Sequence, residues 1–179
     1  MAIYTTLQAQ EMSKHGVFES SRMKATDIGH LYDALVRDNS NETMAVDNGV
    51  AIKIGEFTGN GLQEVYATIA KKADKIAVVG TPALIKDAFT TAQADFYNFY
   101  NKKGALCKAY EVVEEDIFAV ADYQITSGDI AVGATVVVDE NGGWEIVADG
   151  TGCAFVGRVH SISAGDYATM VFIQCVKNA

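Results

Sequence analysis

IFAVADYQI, residues 117–125, reads as a β-strand, and the segments on either side of it read alike. Side chains alternate across an extended chain. Ile117, Ala119, Ala121, Tyr123 and Ile125 therefore share one face, and Phe118, Val120, Asp122 and Gln124 the other. Ile130, Val132, Ala134, Val136 and Val138 repeat the pattern within IAVGATVVVD at 130–139. AYEVV at 109–113, GWEIVA at 143–148, CAFVGRVHSI at 153–162 and TMVFIQCV at 169–176 are equally rich in β-branched and aromatic residues. Ser127-Gly128-Asp129, Asn141-Gly142-Gly143 and Ala164-Gly165-Asp166 break these runs with turn-forming residues. Six short strands with tight turns and no crossover helix predict a mainly β (α+β) chain. Its core over 109–179 is an antiparallel β-sandwich or small barrel.

Working outward toward the N-terminus, the period weakens. Residues 26–108 read as an α+β portion. Thr26 is placed to cap a helix over 26–37, with Asp27 in its first turn and Ile28, Leu31, Tyr32 and Leu35 at i, i+3, i+4 and i+7. Thr43–Val46 and Val50–Ile54 flank Asp47-Asn48-Gly49, a hairpin signal, because Asn and Gly accept the positive φ that such turns need. Glu64–Ile69 and Ile76–Val79 are strand candidates. Thr81-Pro82 is suited to start a helix over 83–102 that Gly104 closes. Five aromatics between Phe89 and Tyr100 make a long irregular segment the competing reading. Residues 1–25 keep no period for long, and read as an extended N-terminal arm whose apolar groups are scattered at Tyr4, Leu7, Met12, Phe18 and Met23.

At 179 residues, with 49% of them aliphatic or aromatic, the chain is long enough and apolar enough to fold. No apolar run approaches the ~20 residues that cross a bilayer as a helix, and residues 1–16 show neither a basic nor an apolar signal region. Synthesis in the cytoplasm is therefore expected, without membrane association. The net charge of −9 is uneven: residues 111–179 carry 2 basic and 11 acidic side chains, whereas 61–110 carry 7 and 4. An acidic surface repels phosphate backbones, which argues against direct nucleic-acid binding.

The residues that ordinarily carry chemistry are sparse. Gly59-Asn60-Gly61 lacks the third glycine of a dinucleotide loop and the Lys-Ser/Thr pair of a P-loop, and reads as a plain turn. Glu114-Glu115-Asp116 is a solvated turn before it is a calcium site, because consecutive acids on an extended chain point to opposite faces. His15, His30 and His160 are far apart, and only His160 lies in a strong element. Cys107, Cys153 and Cys175 have no CxxC or Cys/His metal spacing and read as free thiols, with Lys103 and Lys108 able to lower the pKa of Cys107. Trp144 is either a core plug or an exposed anchor at a loop tip. No catalytic, metal or cofactor-binding set is expected.

IAVVGTP at 76–82, NFYN at 98–101 with Lys103-Gly104, KAYE at 108–111 and DIFAV at 116–120 together resemble small virion proteins of tailed bacteriophages, encoded beside the major capsid gene and labelled capsid decoration or head-fibre proteins. The Gly128-Asp129 turn, the valine-rich strand after it, Phe155-Val156-Gly157 and the branched last strand are similar to that family too, so the resemblance spans most of 45–176. It implies a non-enzymatic virion protein, with no catalytic residues or cofactor, that decorates or cements the capsid exterior by binding the major capsid protein. Homo-oligomerisation is open under this reading. A tail-tube or head–tail adaptor subunit is the alternative. The expected capsid contacts are the arm, through Tyr4, Leu7, Phe18 and Met23, and the 83–104 segment.

Overall fold

Twelve β-strands run through the described residues of this computed structural model, which are 15–24, 30–61, 63–82, 99–165 and 168–179. They are β1 (Phe18–Arg22), β2 (Leu31–Arg37), β3 (Ala51–Phe57), β4 (Glu64–Ile69), β5 (Ala77–Val79), β6 (Cys107–Glu111), β7 (Ile117–Ala121), β8 (Ile125–Ser127), β9 (Thr135–Val138), β10 (Trp144–Val147), β11 (Phe155–Ala164) and β12 (Thr169–Asn178). Seven form a sheet in the order β1-β7-β12-β11-β9-β10-β8, and the other five close a barrel in the order β2-β4-β3-β5-β6. The chain is mainly β, as its alternation predicts. Two pairs, β2 with β4 and β8 with β10, are parallel.

The barrel occupies most of the portion that reads as α+β. Closure comes from β2, which pairs with β4 on one side and β6 on the other. Its interior is one buried cluster supplied by all five strands, in which Ala34, Ala67, Ala77 and Ala109 keep a narrow lumen filled with small side chains around Val36 and Ile52. The helix expected over 26–37 is therefore corrected: Leu31–Arg37 is a strand, and residues 25–29 lie outside the described ones. Leu31 and Leu35 fit a helical spacing, but Ala34 and Val36 are the buried pair, and that alternation prevails once β4 and β6 supply ladder partners. The expected hairpin at 43–54 is also corrected. Asn48 and Gly49 do turn, with Gly49 at φ +79°, but Thr43 bridges to Arg37 and Val46 to Asn101, not to β3.

The seven-stranded sheet packs its inner face on the outside of the barrel. Phe118, Val120, Trp144, Phe155, Val171 and Ile173 share a single buried cluster with Ala51, Ile76 and Val78. In 76–79 the alternation splits between two cores, since Ile76 and Val78 face the sheet while Ala77 and Val79 face the barrel lumen. That division explains an uninterrupted apolar run in a short strand. Asn178, near the end of β12, ties the two layers together: its side chain accepts from Ile76 N–H at 2.9 Å and donates to the Ile76 and Val112 carbonyls at 2.8 and 2.7 Å. The 109–113 segment belongs to the barrel as β6, not to the sheet. The strand expected over 130–139 begins only at Thr135, because Ala134 N–H bonds back to Ala131 and Gly133 takes φ +88°, making the first half a turn.

The arm expected over 1–25 is corrected where it is described, at 15–24; residues 1–14 and 25 lie outside the described ones. Residues 18–22 form β1, an edge strand antiparallel to β7. Phe18 lies 5.3 Å from the Tyr110 ring and 5.9 Å from Phe118, and it is buried with Met23 in the core beneath the sheet. The helix or irregular segment expected over 83–102 falls on residues outside the described ones as far as 98; Asn101 pairs with Val46 in extended conformation.

Candidate functional site

The residues singled out in the sequence are spread over the fold and mostly serve it. Trp144 is fully buried, 5.2 Å from Phe118 and 5.5 Å from Phe155, and its Nε1–H donates to the Gly49 carbonyl at 2.9 Å, so it is a core plug. Cys107 faces the barrel lumen with its Sγ 3.2 Å from the Ala34 carbonyl. Burial pushes this thiol up to about 12, so the neighbouring lysines do not activate it; Lys108 instead pairs with Asp33. Burial also drives Cys175 to about 12, with the nearby Asp116 charge adding to the effect. Neither thiol is a nucleophile at neutral pH.

Asp116 leaves the acidic Glu114-Glu115-Asp116 turn and points inward, accepting from Lys24 N–H at 2.8 Å and Val113 N–H at 2.9 Å. Glu115 sits at φ +74° and accepts from Gln174, while Glu114 faces solvent. Among the described residues, no group of three or more His, Cys, Asp or Glu side chains is arranged to hold a metal ion. Gly59-Asn60-Gly61 is the exposed turn after β3, with Asn60 reaching Glu64 at 3.3 Å. Of the histidines, His15 bonds Asp47 at 3.0 Å and stacks on Tyr100, and His160 is exposed on β11.

His30 belongs to a cluster that is not legible in the sequence. At one end of the barrel, Glu111 meets Lys75, accepts from the Tyr32 hydroxyl at 3.4 Å and lies 3.3 Å from His30 Nδ1. Tyr32, Ile54, Ile76 and Glu111, with Lys53 and Lys75 at the rim, line a recess of about 260 Å³. Burial alone would raise the Glu111 carboxyl, but the bonds and charges of Lys75 and His30 outweigh it and hold the group below its ordinary value. Burial and the Glu111 charge raise the Tyr32 phenol. The phenol therefore stays protonated and donates, and the Lys75 ammonium compensates the carboxylate charge. The arrangement locks β2 to β6 at the barrel end.

A larger recess, about 580 Å³, opens beside the other end of β2. Met44, Val46, Val50 and Ile69 supply its apolar floor, and Arg37, Lys71 and Glu140 its charged rim. The Arg37 guanidinium lies 3.4 Å over the Tyr66 ring and donates to Asn41 at 3.0 Å, while its buried Nε has no hydrogen-bond partner. Behind this recess Asn48 and Asn101 form a buried polar hub, with Asn48 bonded both ways to the Thr81 backbone and Asn101 to the Val46 carbonyl. An open apolar floor with mixed charge around it suits contact with protein side chains.

Of the four expected capsid contacts, Phe18 and Met23 are buried in this chain's own core and cannot meet a partner without unfolding β1. Tyr4 and Leu7 lie outside the described residues. Among the described residues, the large apolar side chains that remain exposed are Phe57, Leu106, Val132, Ile162 and Val176, none of which was expected as a contact. No helix among the described residues is long and apolar enough to cross a membrane. Comparison with known protein families, curated proteins and solved structures gave no match.

Proposed function

We propose that this chain is a non-enzymatic structural protein of a tailed-phage virion, which decorates or cements the capsid exterior by binding the major capsid protein. The observation that carries the reading is the resemblance of IAVVGTP at 76–82, KAYE at 108–111 and DIFAV at 116–120 to capsid-decoration proteins. These three stretches contain β5, most of β6 and most of β7, the strands along which barrel and sheet meet. The likeness therefore concerns the scaffold. The behaviour of the chemistry-bearing side chains supports the same reading. Cys107, Cys175, Trp144, Asp116 and Asn178 are each committed to burial or to bonds that hold strands together. A shell protein needs a rigid fold and an outer surface that meets protein, and the exposed apolar residues and the recess at Arg37 offer such a surface. In this role the chain carries no cofactor and meets neither nucleic acid nor membrane. Its place is on the virion after synthesis in the bacterial cytoplasm.

The test is the composition of purified particles. The expected result is this chain at a fixed ratio to the major capsid protein, on heads separated from tails. Its absence from particles ends the proposal, and its confinement to the tail fraction replaces it with the adaptor or tube reading.

A further inference from the structure

The outer half of β11 has one edge with no strand partner among the described residues. β11 and β12, each of ten residues, form a hairpin whose pairing continues to Ala164 and Thr169. On its other side β11 is paired with β9 only at Gly157 and Arg158. Val159 then bonds the adjoining turn, donating to the Ala134 carbonyl at 2.9 Å and accepting from Gly133 N–H at 2.8 Å. From His160 to Ala164 that edge has no strand partner among the described residues, and Ile162 remains 39% exposed, with Val132 on the adjoining turn 67% exposed.

An open edge is a template for another strand, and proteins ordinarily protect it with lysine, proline or an inward charge. None of these stands between His160 and Gly165. Two features select a second copy of this chain as the occupant. The first is symmetry: Ser161-Ile162-Ser163 is palindromic about Ile162, so an antiparallel two-fold pairing centred there sets Ile162 opposite Ile162 and each Ser161 opposite Ser163. The second is charge: residues 111–179 carry −9, but Arg158–Gly165 contains no acid and one arginine. Two such molecules therefore approach here against the least repulsion.

We propose that this chain self-associates into a two-fold dimer by antiparallel pairing of β11 over His160–Ala164, joining two seven-stranded sheets into one. The turn carrying Val132 limits the pairing to five residues a side. The interface is consequently smaller than the ~1,200–2,000 Å² of stable complexes, and the dimer is weak and concentration-dependent. This surface is separate from the capsid reading and stands or falls without it.

Sedimentation velocity of the full chain from about 10 µM to about 1 mM tests the proposal. The expected result is a monomer–dimer equilibrium whose dissociation constant rises about tenfold or more in both Ile162→Asp and Ile162→Lys, through like charges facing each other at the two-fold. Each variant keeps the wild-type circular dichroism spectrum, since position 162 lies outside the buried clusters. An equal mixture of the two restores dimer, because Asp then faces Lys. Wild-type chain that stays monomeric throughout overturns the proposal. A dimer indifferent to both substitutions, or a mixture that fails to associate, also overturns it by removing the edge or its register.

Discussion

Replacing Trp144 with Phe probes the joint between the two layers. The indole is fully buried on β10, yet its Nε1–H bonds the Gly49 carbonyl at the entry to β3 of the barrel. Phe keeps one ring against Phe118 and Phe155 but removes the hydrogen bond and leaves a void beside them. The stranded carbonyl costs about 1–3 kcal/mol, and the lost packing about 1 kcal/mol more by the behaviour of core truncations. The expected loss is about 2–4 kcal/mol, a large share of the ~5–15 kcal/mol that holds a domain together. Trp144 is the only tryptophan, so fluorescence cannot follow the variant, but two buried thiols can. Cys107 reports on the barrel and Cys175 on the sheet. Pulsed alkylation along a urea gradient, read residue by residue by mass spectrometry, should show both thiols opening at one midpoint in the wild type, and at one lower midpoint in Trp144→Phe. A Cys107 midpoint that stays put while that of Cys175 falls would refute the shared core.

The remaining predictions concern the arm, the barrel end and the third thiol. Deleting residues 1–24 should lower thermal stability well beyond deleting 1–14, because only the longer cut removes Phe18 and Met23, at ~1.5–3 kcal/mol for each buried side chain; equal melting temperatures for the two truncations would return β1 to the status of a free arm. Glu111 has a depressed folded pKa, so its contribution is present above its ordinary value near 4.5 and is lost as pH falls through the folded value. Thermal melts should therefore show wild type above Glu111→Gln at pH 6 to 7, with the gap closing below about pH 4. In the native protein Cys153, which is half-buried, should alkylate before Cys107 and Cys175, and simultaneous labelling of all three would contradict the burial described.

The strand expected over 117–125 is corrected, since β7 ends at Ala121, Asp122–Gln124 form a 3-10 turn, and β8 begins anew at Ile125. Most of the C-terminal strands are legible because their alternation is supported by turn residues that the fold uses, as at Gly128 and Gly142, both with positive φ. β4 is read at its full extent, Glu64–Ile69, for the same reason. β2 is not, since Leu31, Tyr32 and Leu35 satisfy a helical period while Ala34 and Val36 satisfy an extended one, and the choice is made by β4 and β6, which lie far along the chain. β1 fails for a related reason: five residues with a register shift carry too little period to announce themselves, and their burial depends on Phe118 and Tyr110 a hundred residues or so away. The Glu111 cluster and the Asn48–Asn101 hub are likewise long-range assemblies: the turn signal at Asn48 is local, but its partner Asn101 lies 53 residues away, and His30 and Glu111 are 81 residues apart. The edge at Ser161-Ile162-Ser163 is present in the sequence as a palindrome, but only strand order shows that it has no partner among the described residues.

Imaging particles made with and without this chain, averaged to a resolution that separates surface proteins from the shell, tests the capsid reading most directly. The expected result is difference density outside the shell, repeated with the capsid's symmetry and sized for a barrel packed on a seven-stranded sheet. Identical heads, or a difference confined to the tail, would contradict it.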